Sequence, residues 1–222
     1  GAACNLAPLG EALVPVPADD AGRAVDLAQE ALGGFQATHL AAWRGGLRAK
    51  LGLGEEVTYA DVAALTDRLF PVLAAARTDW TGFWVRLTEH VPGGEGGGAR
   101  GEGGAGRNAR RSAGAGDPTA AALAEAQMLV PGAADPAAVA AWLRDWQALG
   151  PDAGRMRAAN PVYIPRNHLL DEALTAAEDG DLGPVHRLLE AVTDPFTPRP
   201  GLERYAAPGP SDAAPFVTYC GT

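Results

Sequence analysis

Apolar residues recur at helical spacing along most of the chain, and prolines, glycines and short polar residues interrupt them at intervals. One clear stripe follows Thr58 and Asp61, which are spaced as in a capping box; it comprises Val62, Leu65, Leu69, Val72 and Leu73. Another follows Asp135-Pro136, a pair typical of a helix start. No segment alternates convincingly between apolar and polar residues, so the pattern predicts an all-α fold.

The least repetitive stretch is residues 155–170, where Pro161 and Pro165 stand close together. Each proline fixes its own φ angle and disfavours helix at the residue before it, so we expect an extended elbow here. The residues assigned to this structural elbow are Asn160, Pro161, Tyr163, Arg166 and Asn167. Two apolar stripes follow, separated by Gly180, and predict a helical hairpin whose first helix is capped by Asn167.

Two segments lack the helical pattern. Residues 93–116 consist almost only of Gly, Ala, Arg and Glu, so ordering them costs entropy with little apolar burial in return. We interpret them as a disordered, solvated insertion; as an alternative, their arginines contact an acidic partner. Six prolines after Asp194 exclude regular helix and predict an irregular C-terminal strap. The predicted organisation is therefore helical at 1–91, disordered at 92–117, helical with elbow and hairpin at 118–193, and extended at 194–222.

Composition and charge narrow the possible partners. The net charge of −9 gives no global basic footprint for nucleic acid, and no apolar run is long enough to span a membrane. Two cysteines, Cys4 and Cys220, do not make a disulfide framework, which favours a reducing, intracellular setting. The chain begins at Gly1 without an initiator methionine or a signal peptide, so we expect it to start inside a longer protein.

Residue types suited to catalysis are sparse. The sequence has no phosphate-binding loop, and its four histidines lie far apart with no cysteine or carboxylate at metal-ligand spacing. We therefore assign no catalytic, cofactor-binding or metal residue. Arg166 either binds an anion or pairs with a carboxylate, and a salt bridge that locks the elbow is the favoured interpretation. Cys220, third from the end, is either an inert terminal thiol or an accessible redox group.

The elbow sequence and several shorter blocks carry a family resemblance. They are the block from Asn160 to Leu170, Asp194-Pro195-Phe196, Arg204-Tyr205-Ala206, the terminal Cys220-Gly221-Thr222 and, upstream, Arg48-Ala49-Lys50-Leu51-Gly52-Leu53 and Asp79-Trp80-Thr81. Together they resemble the C-terminal signature of the selenoprotein O (SelO) family, over nearly the whole chain except the insertion.

The resemblance implies a protein-kinase-like fold that uses ATP and a divalent metal such as magnesium to transfer AMP to hydroxyl side chains of protein substrates. In that family the nucleotide site lies N-terminal to the position of Asn5. The resemblance then makes this chain the helical C-terminal part of the large lobe, which is inactive alone. It implies that the partner is the missing N-terminal kinase-like part and that the location is mitochondrial or cytoplasmic. A stand-alone helical interaction module is the alternative of another class.

The resemblance also bears on the terminal cysteine. Cys220 falls where the family has cysteine or selenocysteine, although the following Gly221-Thr222 departs from the usual pair of serines. It implies a reversible disulfide between Cys220 and a cysteine upstream of this chain.

Overall fold

The structure is a computed structural model that describes residues 2–13, 16, 20–92 and 118–210. These residues form ten helices and no strand, which agrees with the predicted all-α class. The helices are α1 (Ala2–Leu13), α2 (Ala21–Lys50), α3 (Tyr59–Ala75), α4 (Trp80–Glu89), α5 (Pro118–Leu129), α6 (Pro136–Ala148), α7 (Ala153–Ala159), α8 (Asn167–Glu178), α9 (Gly183–Thr193) and α10 (Glu203–Ala206). No helix in these ranges is long and apolar enough to cross a bilayer.

The chain divides into two compact units, residues 1–48 and residues 49–222. The first unit contains α1 and most of α2, which begins after Asp20, whose side chain accepts a hydrogen bond from the Arg23 N–H at 2.8 Å. Helix α2 continues through the pair Gly33-Gly34 without a break. A glycine inside a helix costs only about 1 kcal/mol relative to alanine, so a long helix tolerates the pair.

The core of the second unit is built around aromatic side chains of α4 and α6. Phe83, Trp84 and Trp146 are almost fully buried. Trp142 and Trp146 stack at 6.2 Å between ring centroids, and their indole N–H groups donate to the carbonyls of Leu65 and Leu51, both at 2.9 Å. These bonds satisfy the polar end of each indole, so both rings are buried without a polar penalty.

Local capping chemistry sets several helix starts. The capping box of Thr58 and Asp61 is present at α3, which confirms that prediction. Asp135 caps α6 through the N–H groups of Ala137 and Ala138. Asp79 caps α4 by accepting from the Gly82 N–H, so that this helix begins at Trp80.

The helices predicted after the elbow are α8 and α9, which pack through Leu169, Ala173 and Leu188. Gly180, with φ +89°, follows the end of α8, as expected for a glycine stop. The predicted cap is wrong by one residue: Arg166 is the N-cap of α8, makes no side-chain capping bond, and Asn167 is already helical. The backbone of Arg166 is extended, and its guanidinium bonds to Asp79 and Ala206 and does not cap the helix.

The predicted strap, residues 194–222, is described only to residue 210. It includes α10, a single helical turn that the proline count did not predict. The prolines on either side leave the stretch 201–207 free of them, and one turn fits there. Residues 93–117, which hold the predicted insertion, and residues 211–222 lie outside the described residues.

Candidate functional site

Arg166, at the end of the elbow, makes three side-chain hydrogen bonds to protein partners. Its Nη1 and Nη2 atoms donate to the two carboxylate oxygens of Asp79 at 2.8 and 3.1 Å, and Nη2 also donates to the Ala206 carbonyl at 2.9 Å. The Arg166 side chain is only 7% exposed. The guanidinium therefore pairs with a carboxylate and joins the elbow to α4 and α10. Anion binding, the other interpretation of Arg166, would need the same Nη1 and Nη2 donors that already bond to Asp79 and Ala206.

Asp79 carries two roles in this junction. It is the N-cap of α4, accepting from the Gly82 N–H at 2.7 Å, and it is the partner of Arg166. Burial acts to raise the pKa of Asp79, but the hydrogen bonds from Arg166 and Gly82 and the charges of Arg166 and Arg86 hold that pKa below its ordinary value. Asp79 is therefore a charged anchor at neutral pH.

The start of the elbow is tied to the end of α2. The Asn160 side chain donates to the Lys50 carbonyl at 2.9 Å, and the Lys50 ammonium donates to Asn160 Oδ1 at 3.2 Å. The same ammonium lies 5.7 Å from the centre of the Trp84 ring. Burial lowers the pKa of Lys50. Lys50 lies in one of the blocks that carry the family resemblance, but no local signal predicted its contacts with Asn160 and Trp84.

The middle of the elbow packs against the segment that follows α9. Tyr163 is buried, and its hydroxyl accepts from the Arg199 N–H at 2.7 Å while the Arg199 guanidinium lies 5.6 Å from the ring centre. The N–H groups of Val162 and Tyr163 both donate to the Pro195 carbonyl, at 2.7 and 3.2 Å. Pro161 stands half-buried between these two sets of contacts. The elbow is therefore anchored at its start, in its middle and at its end.

The geometry assigns this region a scaffold role. The donors of Arg166, Asn160 and Tyr163 are spent on protein partners, although Arg166 Nε is buried without one. In the part of the chain that the structure describes, no three His, Cys, Asp or Glu side chains come together in a way that holds a metal ion. These residues do not fit a nucleotide with its divalent metal, so no step of nucleotide chemistry is assigned to them.

The other residues of interest are not brought together. His90 lies 2.7 Å from Glu125, while His168 and His186 sit on α8 and α9. Cys220 lies outside the described residues, so its redox role stays a prediction.

No family model matches the chain. It is similar, however, to proteins named protein nucleotidyltransferase YdiU. The relative from Mycolicibacterium paratuberculosis is 43% identical over 218 residues, which are 98% of this chain and 39% of the relative. Those from Pseudarthrobacter chlorophenolicus and Cereibacter sphaeroides are 41% and 40% identical over 98% and 99% of this chain, again 39% of each relative.

The agreement extends through both compact units, so it does not depend on the elbow alone. The chain spans about two fifths of the length of the curated relatives it matches. With identity of 40–43% across its own length, the chain corresponds to about two fifths of relatives of the SelO family, which are named as protein nucleotidyltransferases.

Proposed function

We propose that this chain is the C-terminal portion of a SelO-type protein adenylyltransferase, which transfers AMP from ATP to Ser, Thr or Tyr of protein substrates with magnesium. In this proposal the chain supplies helices of a protein-kinase-like large lobe and has no nucleotide site of its own. Its essential partner is the rest of the same polypeptide, and the isolated chain is inactive.

One observation carries the proposal: nearly all of this chain aligns with only 39% of each nucleotidyltransferase relative. The described residues supply anchored helices and an elbow and offer no cluster of metal ligands. Nucleotidyl transfer depends on cations and metal-binding carboxylates positioned around the phosphates, so the proposal assigns these groups to the portion outside this chain.

The elbow has a definite task in this proposal. Through Asn160, Tyr163 and Arg166 it fixes the end of α2, the start of α4 and the segment after α9 to one another. A rigid scaffold of this kind keeps distant groups in register, and small displacements of catalytic groups are costly in rate.

The test is an AMP-transfer assay with labelled ATP, magnesium and a protein acceptor. We expect no transfer by the 222-residue chain alone. We expect transfer when it is co-expressed with the part of the Mycolicibacterium paratuberculosis relative that does not align with it. Transfer by the isolated chain would contradict the proposal, as would a co-expressed pair no more active than the relative's segment alone.

Cys220 is proposed as the redox group of this protein, on the position it shares with the family's terminal cysteine or selenocysteine. The thiol is expected to form a reversible disulfide with a cysteine outside this chain. Mass spectrometry of the co-expressed pair after mild peroxide should find Cys220 in a disulfide with that segment. A free or irreversibly oxidised Cys220 would refute this role.

A second candidate is a stand-alone helical interaction module. It is favoured by the exposed apolar residues of the hairpin region, Leu170, Leu174, Leu189 and Phe196. Mapping the transcript upstream of Gly1 separates the two candidates, since an open reading frame that truly starts here supports the module. A reading frame that continues upstream into a kinase-like sequence excludes it.

A further inference from the structure

An apolar groove runs between α1 and the N-terminal half of α2, inside the first compact unit. Its volume is about 420 Å³. The side chains that line it include Leu9, Leu13, Val16, Leu27, Leu32 and Phe35, and no charged residue contributes. Leu9, Leu13 and Val16 are 52%, 49% and 76% exposed. Within the first unit, the described residues therefore leave this continuous apolar surface without a covering layer.

Two helices alone do not bury enough apolar surface to explain this arrangement. Among the described residues up to residue 48, only Ala24 and Leu47 are buried. Val25, Leu40 and Trp43 of α2 are each 40–50% exposed, in addition to the groove. A helix derives most of its stability from packing an apolar face, so these two helices need a further element.

The comparisons indicate where that element comes from. Because the relatives align with 98% or more of this chain, they contain counterparts of α1 and α2. They also carry about three fifths of their length outside the aligned region. A segment of the same polypeptide acts at a high effective concentration, so it outcompetes a second copy of the chain for an apolar groove.

We propose that this groove is the docking seat for an apolar helical face from the part of the SelO-type polypeptide that lies outside this chain. The inference rests on the proposed function and adds to it the surface through which the two portions join. A groove between two helices receives the ridge of a third, and its wholly apolar lining selects a partner face of Leu, Ile, Val or Phe.

The experiment is co-expression of the tagged 222-residue chain with the non-aligned segment of the Mycolicibacterium paratuberculosis relative, followed by purification on the tag. We expect the wild-type pair to co-purify in equal amounts. The double variant Leu9→Asp/Leu13→Asp should recover at least tenfold less segment. The matched control is Met128→Asp/Leu182→Asp, whose side chains are 67% and 52% exposed in the second unit, and we expect its recovery to stay within twofold of wild type.

A second measurement does not depend on the variants folding normally. A photo-crosslinking residue introduced as Val16→benzoylphenylalanine should crosslink to the co-expressed segment. The same change at Met128, which is 67% exposed in the second unit, should not. Crosslinking from both positions alike, or from Met128 alone, overturns the inference.

The remaining outcomes are also decisive. Failure of the wild-type pair to co-purify overturns the inference, as does equal loss in the groove variant and the control. A wild-type dimer that the groove variant converts to monomer shows that a second copy covers the groove, which also overturns it. AMP transfer by a pair whose groove variant assembles normally overturns the docking seat and leaves the proposed function standing. A complex that forms only with an intact groove but does not transfer AMP supports the docking seat and overturns the proposed function.

Discussion

Arg166 is a buried cation whose two partners, Asp79 and the Ala206 carbonyl, come from separate parts of the second unit. Removing one partner of a buried ion pair leaves an uncompensated charge, which costs more than the pair itself contributes. We expect Arg166→Ala to lower the free energy of unfolding by about 3 kcal/mol, the lower end of the range for buried pairs, because Asp79 keeps some solvent contact.

Urea denaturation followed by circular dichroism measures this change. Arg204→Ala is the matched control. Arg204 also pairs with a carboxylate, that of Glu172, through two guanidinium nitrogens, but both of these side chains are largely exposed. Its midpoint should stay close to that of wild type. Equal shifts in the two variants would contradict the view that burial makes the Arg166 pair important.

The pKa of Asp79 makes stability depend on pH. Because the folded state holds this pKa below its ordinary value of 3.8, the carboxylate stabilises the fold at neutral pH. That contribution is lost as the pH falls below about 4 and through the folded pKa. Urea midpoints measured from pH 7 to pH 2.5 should fall more steeply for wild type than for Asp79→Asn. Parallel curves would show that the group does not contribute.

Arg77 adopts a backbone conformation that favours glycine. Its φ is +49°, and it ends α3 in a turn closed by the bond from the Thr78 N–H to the Leu73 carbonyl at 3.0 Å. A left-handed conformation costs a residue with a Cβ roughly 1–2 kcal/mol, a cost that glycine avoids. Part of this gain is lost because glycine also raises the conformational entropy of the unfolded state. We expect Arg77→Gly to raise the free energy of unfolding by about 0.5–1 kcal/mol.

Thermal melts provide the check. Arg77→Ala removes the same charge but keeps the strained backbone, so its melting temperature should match that of wild type. If alanine stabilises as much as glycine, the gain comes from the lost arginine side chain and the argument from φ is wrong.

At the scale of elements, α4 and α5 are joined on both sides of the predicted insertion. His90 contacts Glu125, and the Arg86 Nε atom donates to the Leu129 carbonyl at 3.3 Å. These bonds connect α4 to α5 directly and involve no residue of the segment 93–117. If the connection is flexible, replacing its 25 residues by about 10 of Gly and Ser lowers the entropic cost of closing the loop by about 0.8 kcal/mol.

We therefore expect the shortened chain to be slightly more stable in urea than wild type. Replacing the same 25 residues with Gly and Ser of equal length should leave the midpoint unchanged. A loss of more than about 1 kcal/mol in either chain would mean that the native insertion makes stabilising contacts, contrary to its predicted disorder.

Elements were predictable where their signals are local. The capping box at Thr58, the Asp135-Pro136 start and the Gly180 stop each depend on a few neighbouring residues, and each is found in the structure. The N-cap of α8 is Arg166 and not Asn167, and the guanidinium of Arg166 bonds to distant residues that a local signal does not contain. The contacts of Lys50 and Asp79 were not predicted for the same reason, since their partners are 110 and 87 residues away.

At the scale of the whole molecule, the two compact units differ in how much they bury. The first has two buried apolar residues among its described positions, whereas the second contains Trp84, Trp146 and most of the other buried side chains. We expect hydrogen exchange of the isolated chain to be fast in α1 and in residues 24–44 of α2, and slow in α3 and α6. Uniform protection across both units would contradict this.

The distribution of tryptophans gives the first unit an optical label of its own. Trp43 is half-exposed and is the one tryptophan of residues 1–48. In the second unit, Trp84, Trp142 and Trp146 are buried and Trp80 is partly exposed. Because an indole in water emits at longer wavelength than one among apolar groups, Trp43→Phe removes a red-shifted component from the spectrum. The difference between the two spectra then reports, without any dye, when a ligand or partner covers α2.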